Sequence, residues 1–158
     1  MKKESIWLLI AGIAAGIGVL FVAFIYVPVI AGECRTMYPE YAALYWPGLA
    51  GIWAITALFL LGLWEYFRVC LRIGQDRSFC MENVKSLKRI TGCMAAMAVL
   101  FLLAIFAPGV LFHLDIGPVF LLFLLCAMAC AALALLSHGL SRLLKRAVEI
   151  KEENDLTV

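Results

Sequence analysis

The chain has 158 residues, of which 65% are hydrophobic and 15% charged, whereas soluble domains average about 45–50% apolar and about 25% charged residues. A chain this short hides only about 70% of its unfolded surface on folding, so this much apolar side chain excludes a free-standing soluble enzyme, and the low charge excludes a disordered chain. The formal net charge of +2 excludes nothing by itself; what informs is where the charges lie.

Crossing about 30 Å of hydrocarbon takes about 20 mostly apolar residues as helix. Four stretches qualify, at about residues 6–31, 42–64, 90–112 and 116–140. Their apolar character runs all round, unlike that of a surface helix, and the in/out alternation of a barrel strand is missing. The expected fold is an all-α membrane protein, a single four-helix transmembrane bundle with antiparallel neighbours joined by short loops.

The first span follows Lys2 and Lys3. A cleaved leader is the rival reading, with Val29-Ile30-Ala31 as its cleavage site. The apolar run is about twice the 7–15 residues of a leader, and Pro28 sits close to the cut, so the segment is read as a span. Gly12 and Gly16 form a G-x-x-x-G pair, a helix-packing signal that serves equally inside the bundle or across a dimer. The segment Glu33–Tyr41 links spans one and two on the outside. Tyr38, Tyr41, Tyr45 and Trp46 suit the headgroup boundary.

The second span is expected to overrun the membrane as helix through Arg72, with Glu65 paired to Arg68 three residues on. Residues 65–89 form an inner loop and helix. Gly74–Ser78 reads as a break, with Ser78 as N-cap. Val84, Leu87 and Ile90 then recur at helical spacing among polar residues, an amphipathic helix leading straight into span three. The second outer loop, around residues 107–118, is too short to hold a domain. After span four, residues 141–158 continue as an apolar stripe of Leu140, Leu143, Leu144, Ala147, Val148 and Ile150, then an acidic patch and the tail Asp155–Val158. Such a tail frays by default, or adds a strand to a partner's sheet edge.

Twelve of the thirteen Lys and Arg residues lie before span one, between spans two and three, or after span four; Arg35 is the exception. Basic residues stay on the cytoplasmic side during insertion, so both termini and the middle loop are expected in the cytoplasm. The basic helix at residues 79–89 is expected to anchor on anionic lipid or to dock a cytoplasmic partner.

Two segments also resemble a known family. Gly74-Gln75-Asp76-Arg77-Ser78-Phe79, followed by Glu82-Asn83-Val84 and Leu87-Lys88-Arg89-Ile90, is similar to the "G-x-P-F-x-x-E-N-V-x-x-L-R-x-I" segment of bacterial four-span membrane proteins, the domain of unknown function 2975 family. The ending Glu153-Asn154-Asp155-Leu156-Thr157-Val158 resembles that family's "E-x-D-L-T-I". Ser78 stands where many members have Pro, and the chain ends on Val rather than Ile. The resemblance implies a bacterial plasma (inner) membrane setting. It also implies a genetic neighbourhood, because members are often encoded beside a small Cro-type helix-turn-helix regulator. The expected function is therefore regulatory and non-enzymatic: binding or sequestering a small cytoplasmic partner such as that regulator, with no direct contact to nucleic acid. The expected partner contacts are Phe79, Glu82, Asn83, Leu87, Arg89, Asp155, Leu156, Thr157 and Val158. Homo-oligomer formation is left open.

Two other classes compete with this reading. A small-molecule or lipid transporter, or a lipid-binding bundle, needs a polar cavity between the spans, and a proton-coupled exporter a carboxylate at mid-membrane; Glu33, Glu65 and His138 lie near span ends, and His113 and Asp115 in the outer loop. A metal or redox sensor would draw on Cys93, Met97, Cys126 and Cys130, whose soft ligands suit Cu(I); packing is the ordinary use of such residues in helix interfaces. Cys34 has no extracellular partner within the chain. No nucleophile–base set and no phosphate loop is visible. No catalytic residue, metal or cofactor is expected.

Overall fold

A computed structural model describes residues 3–75, 79–112 and 117–156. The described chain is helical, with no strand among these residues: α1 Lys3–Phe21, a π-helical turn Val22–Tyr26, α2 Val27–Met37, a 3-10 segment Pro39–Leu44, α3 Tyr45–Gly74, α4 Met81–Phe112 and α5 Gly117–Leu156. Four stretches are long and apolar enough to cross a membrane: Ile6–Met37, Pro39–Gly74, Met81–Pro108 and Phe120–Asn154.

Prolines mark the irregular points. The π turn lies immediately before Pro28, and Val27 N–H bonds to Val22 C=O, five residues back. Pro28 has no N–H and its ring crowds the carbonyl four residues earlier; a widened turn absorbs that misfit while the rod continues. The link after span one, expected as a loop, is helical as far as Met37. Tyr38 N–H bonds to Cys34 C=O at 2.9 Å, and Tyr38 then leaves the helical region at φ −130°, ψ 86°. The cause is Pro39, which disfavours helical backbone in the residue before it. Pro47 falls in the first turn of α3, where its missing N–H costs nothing.

The other expected overruns are present. Helix α3 continues past Arg72 to Gly74, and α4 starts at Met81 and enters span three without interruption. Helix α5, with 40 residues, is about 60 Å long at the α-helical rise, about twice the hydrocarbon thickness. Ser78, the expected N-cap, lies outside the described residues.

Register follows from paired side chains. Phe24 of the π turn stacks on Trp53 of α3, ring centroids 6.0 Å apart, while Tyr66 donates to Leu8 C=O at 3.2 Å. Residues rising along α1 thus meet residues falling along α3, an antiparallel pair. Phe101 meets Phe123 at 6.2 Å, and Ser137 Oγ donates to Leu87 C=O at 3.1 Å, making α4 and α5 antiparallel as well. The N-terminal end of α1, the α3–α4 turn and the end of α5 therefore share one end of the molecule, which carries most of the Lys and Arg: the basic end.

The helices form a row rather than a closed four-helix bundle. Helix α1 packs on α3, α3 on α4, and α4 most extensively on α5, while among the described residues α1 and α5 have no substantial contact. Ile10, Ile17, Leu121, Leu125 and Leu135 are all exposed. In lipid, exposed apolar faces carry no hydrophobic penalty, so nothing drives the row to close; packing and small residues decide which helices touch.

The glycine pair serves the interior of the molecule. A Cβ at Gly12 would stand 2.7 Å from Phe67 Cε1 and 3.1 Å from Tyr66 Cε1, and one at Gly16 would stand 2.8 Å from Leu63 Cδ2. These glycines let α1 lie against three side chains of α3. Gly12→Leu and Gly16→Leu are each expected to cost about 1–3 kcal/mol by overpacking, read as a lowered Tm in detergent. Gly18→Leu, where a Cβ would meet nothing within 4 Å, should leave Tm unchanged; equal effects at all three positions would remove the glycine seat.

Candidate functional site

At the basic end, one acidic side chain organises the α3–α4 contact. Glu65, in the second half of α3, is 7% exposed. Its Oε1 accepts a hydrogen bond from Arg89 Nη1 at 2.7 Å, and its Oε2 accepts one from Ser86 Oγ at 2.8 Å. Arg68 Nη1 lies 3.5 Å from Oε1. Ser86 Oγ also accepts from Arg72 Nη1 at 3.1 Å, Arg72 Nη1 reaches Asn83 Oδ1 at 3.4 Å, and Arg72 Nε pairs with Glu82 at 3.2 Å. A buried carboxylate is tolerated only when charge-assisted hydrogen bonds replace its water, and both oxygens of Glu65 are so supplied.

The expected Glu65–Arg68 pair is therefore present, and the shorter contact from Arg89 across the helix pair joins it. The sequence reading missed Ser86 and the role of Arg72. A signal existed: Glu82, Ser86, Arg89 and Cys93 fall at i, i+4, i+7 and i+11, one face of α4.

Beside this network lies a groove of about 250 Å³ lined by Val69, Ile73, Phe79, Asn83, Leu87, Leu140 and Leu144. Helices α3, α4 and α5 each supply part of its wall. Phe79 is 58% exposed. Asn83 and Leu87 are 1% and 7% exposed, so a visitor would meet them only as groove lining. Ser137 of α5 and Thr91 of α4 both donate to the Leu87 carbonyl, at 3.1 and 2.9 Å, fixing α5 at this level. Glu82 faces outward, tied to Arg72. The structure thus gathers Phe79, Glu82, Asn83, Leu87 and Arg89 at one end, around the first turns of α4. Helix α5 runs on to Leu156, so the backbone of Asp155 and Leu156 is helical; Thr157 and Val158 lie outside the described residues.

Elsewhere the polar inventory is small. Thr56, buried in α3, donates to its own helix at Ile52 C=O, 2.8 Å away. Among the described residues no buried side-chain nitrogen or oxygen lacks a hydrogen-bond partner. No group of three or more His, Cys, Asp or Glu side chains able to hold a metal occurs among the described residues. At the opposite end a second hollow, about 170 Å³, lies between α2 and α3, with Arg35 over the Tyr45 ring at 5.4 Å.

The match to known families decides what this architecture belongs to. A family model described as "Protein of unknown function (DUF2975)" matches residues 29–158. The chain belongs to the DUF2975 family. It is similar to the uncharacterized membrane protein YoaS of Bacillus subtilis (strain 168), 25% identical over 158 residues that cover 99% of this chain and 99% of that protein. No solved structure matches. The family match takes in both segments that carried the resemblance and the whole Glu65 network, while all of α1 precedes it. With four apolar helices of spanning length, this DUF2975 chain is a membrane protein.

Removing Arg89 leaves Glu65 buried beside weaker partners, whereas removing the charge at Glu65 makes Arg89 dispensable. Arg89→Ala and Glu65→Gln should each lower stability in detergent, and the double variant should lose less than the two combined, with a coupling of about 1–3 kcal/mol. Strict additivity would show that the contact does not hold α3 to α4.

Proposed function

We propose that this DUF2975 protein is a non-enzymatic regulatory protein of the bacterial plasma membrane, oriented with its basic end in the cytoplasm, which binds a small cytoplasmic protein there. The observation that carries this reading is the groove at the basic end with Phe79 exposed at its side. It lies past Trp64 towards the basic end, and aromatic rings are enriched among the anchors of protein contacts. A helix laid against α3, α4 and α5 would bury Phe79 and cover Leu140 and Leu144. The family resemblance makes a helix-turn-helix regulator the first partner to test. The charge distribution supports the orientation, since basic residues are retained on the cytoplasmic side.

Two measurements test these statements separately. Single-cysteine variants retaining Cys34 or Cys80, which stand at opposite ends, are treated in intact cells with a membrane-impermeant maleimide. Cys34 should label and Cys80 should not; the reverse pattern would invert the topology. For the partner, the tagged protein is purified from its native host in mild detergent and bound proteins are identified by mass spectrometry. A small protein should co-purify, and Phe79→Asp or deletion of Asp155–Val158 should reduce its recovery about tenfold or more, as expected for loss of an anchoring contact. Undiminished recovery from both variants would end the docking role assigned to these residues.

A further inference from the structure

We propose that Arg68 and Arg89 form a binding site for the phosphate of an anionic phospholipid at the membrane boundary, on the outer face of the α3–α4 pair. The geometry is specific. The two arginines come from different helices yet converge on a single oxygen, Glu65 Oε1, at 3.5 and 2.7 Å. Glu65 is buried, but the Arg68 and Arg89 side chains remain 46% and 62% exposed. Each guanidinium has five N–H donors, and one carboxylate oxygen occupies few of them. Free donors of both groups are thus brought near one point and left accessible.

The position matches a headgroup. Helix α3 from Tyr45 to Trp64 is about 30 Å long, the thickness of the hydrocarbon. Trp46 and Trp64, at the two ends of that stretch, are exposed by 67% and 60%, as expected of boundary rings. Arg68 lies one turn past Trp64, with its guanidinium 5.7 Å from that ring. Leu61, 59% exposed, continues the same face of α3 into the membrane, as Val99, 55% exposed, does on α4. Between them Gly92 is exposed, and a Cβ there would meet nothing within 4 Å. A shallow track for an acyl chain therefore descends from the arginine pair.

The charges match as well. Two guanidinium groups and one carboxylate leave a net charge of +1 facing a phosphodiester of −1. Arginine forks bind such oxygens in pairs, and basic pockets between membrane helices hold anionic headgroups. Phosphatidylcholine, whose choline cancels its phosphate, is the poorer fit. This site is separate from the Phe79 groove and does not depend on a protein partner.

The test uses the full chain in neutral detergent, with native mass spectrometry counting bound phosphatidylglycerol or phosphatidylcholine. Phosphatidylglycerol should be retained several-fold more than phosphatidylcholine. Arg68→Gln should lower that retention about fivefold. Arg89→Lys, which keeps the ion pair to Glu65 and so the fold but loses the fork, should also lower it, while Arg142→Gln on α5 should have no effect. Equal retention of the two lipids would overturn the site. So would an Arg142→Gln loss matching that of Arg68→Gln, which would mean diffuse attraction, or displacement of the lipid by inorganic phosphate, which would make the ligand a free anion.

Discussion

A carboxylate buried between two membrane helices is the constraint around which the basic end is arranged. Glu65 is almost wholly withdrawn from water, and a charge so placed is tolerated only where donors converge on it. The donors come from both helices: Arg68 on α3, and Ser86 and Arg89 on α4. Meeting the two α4 donors at once sets the register of α4 against α3. That register places Asn83 within reach of Arg72 and brings Leu87 to where Ser137 of α5 can bond its carbonyl. The groove beside Phe79 is a consequence, because its walls are the residues that this register aligns.

Within the spans the physics is different. Few side chains there bond across helices, and the faces turned outward are as apolar as those turned inward. The row α1–α3–α4–α5 is held by shape: glycines that admit α1 to α3, and the long contact between α4 and α5. Water would force such a row to close over its apolar faces, whereas a bilayer does not. The polar clasp and the apolar row are thus complementary solutions for two solvents, joined at the level of Trp64.

The two surfaces proposed as functional both sit at that junction, on different faces of the α3–α4 pair. The Arg68–Arg89 pair, one turn past Trp64, is the surface proposed for an anionic lipid. The Phe79 groove begins at the same level, at Val69 and Leu87, and extends further out to Ile73 and Phe79. Both are built on the first three turns of α4, and the Ser86–Glu65 bond links them mechanically. No constellation suited to covalent or acid–base chemistry adjoins either surface among the described residues, and the DUF2975 description assigns none.

Much of this was legible from residue order. Four long apolar runs can be satisfied only as helices in lipid, and the clustering of Lys and Arg marked which ends lie together. The continuation of α3 past Arg72, the unbroken entry of α4 into its span and the family resemblance all followed from local pattern. The run of helix beyond Ala31 to Met37 did not, because Pro39 rather than composition ends α2. Nor could the sequence choose between bundle and dimer for Gly12 and Gly16, since a G-x-x-x-G reports a close approach without naming its partner. Glu65 illustrates the same divide. Its neighbour Arg68 was visible at a spacing of three, but Arg89 is twenty-four positions away, and only the packing of α3 on α4 brings them together. Sequence determines what each segment must be buried in; tertiary structure decides which side chains then meet, because that depends on register between helices that no single helix encodes.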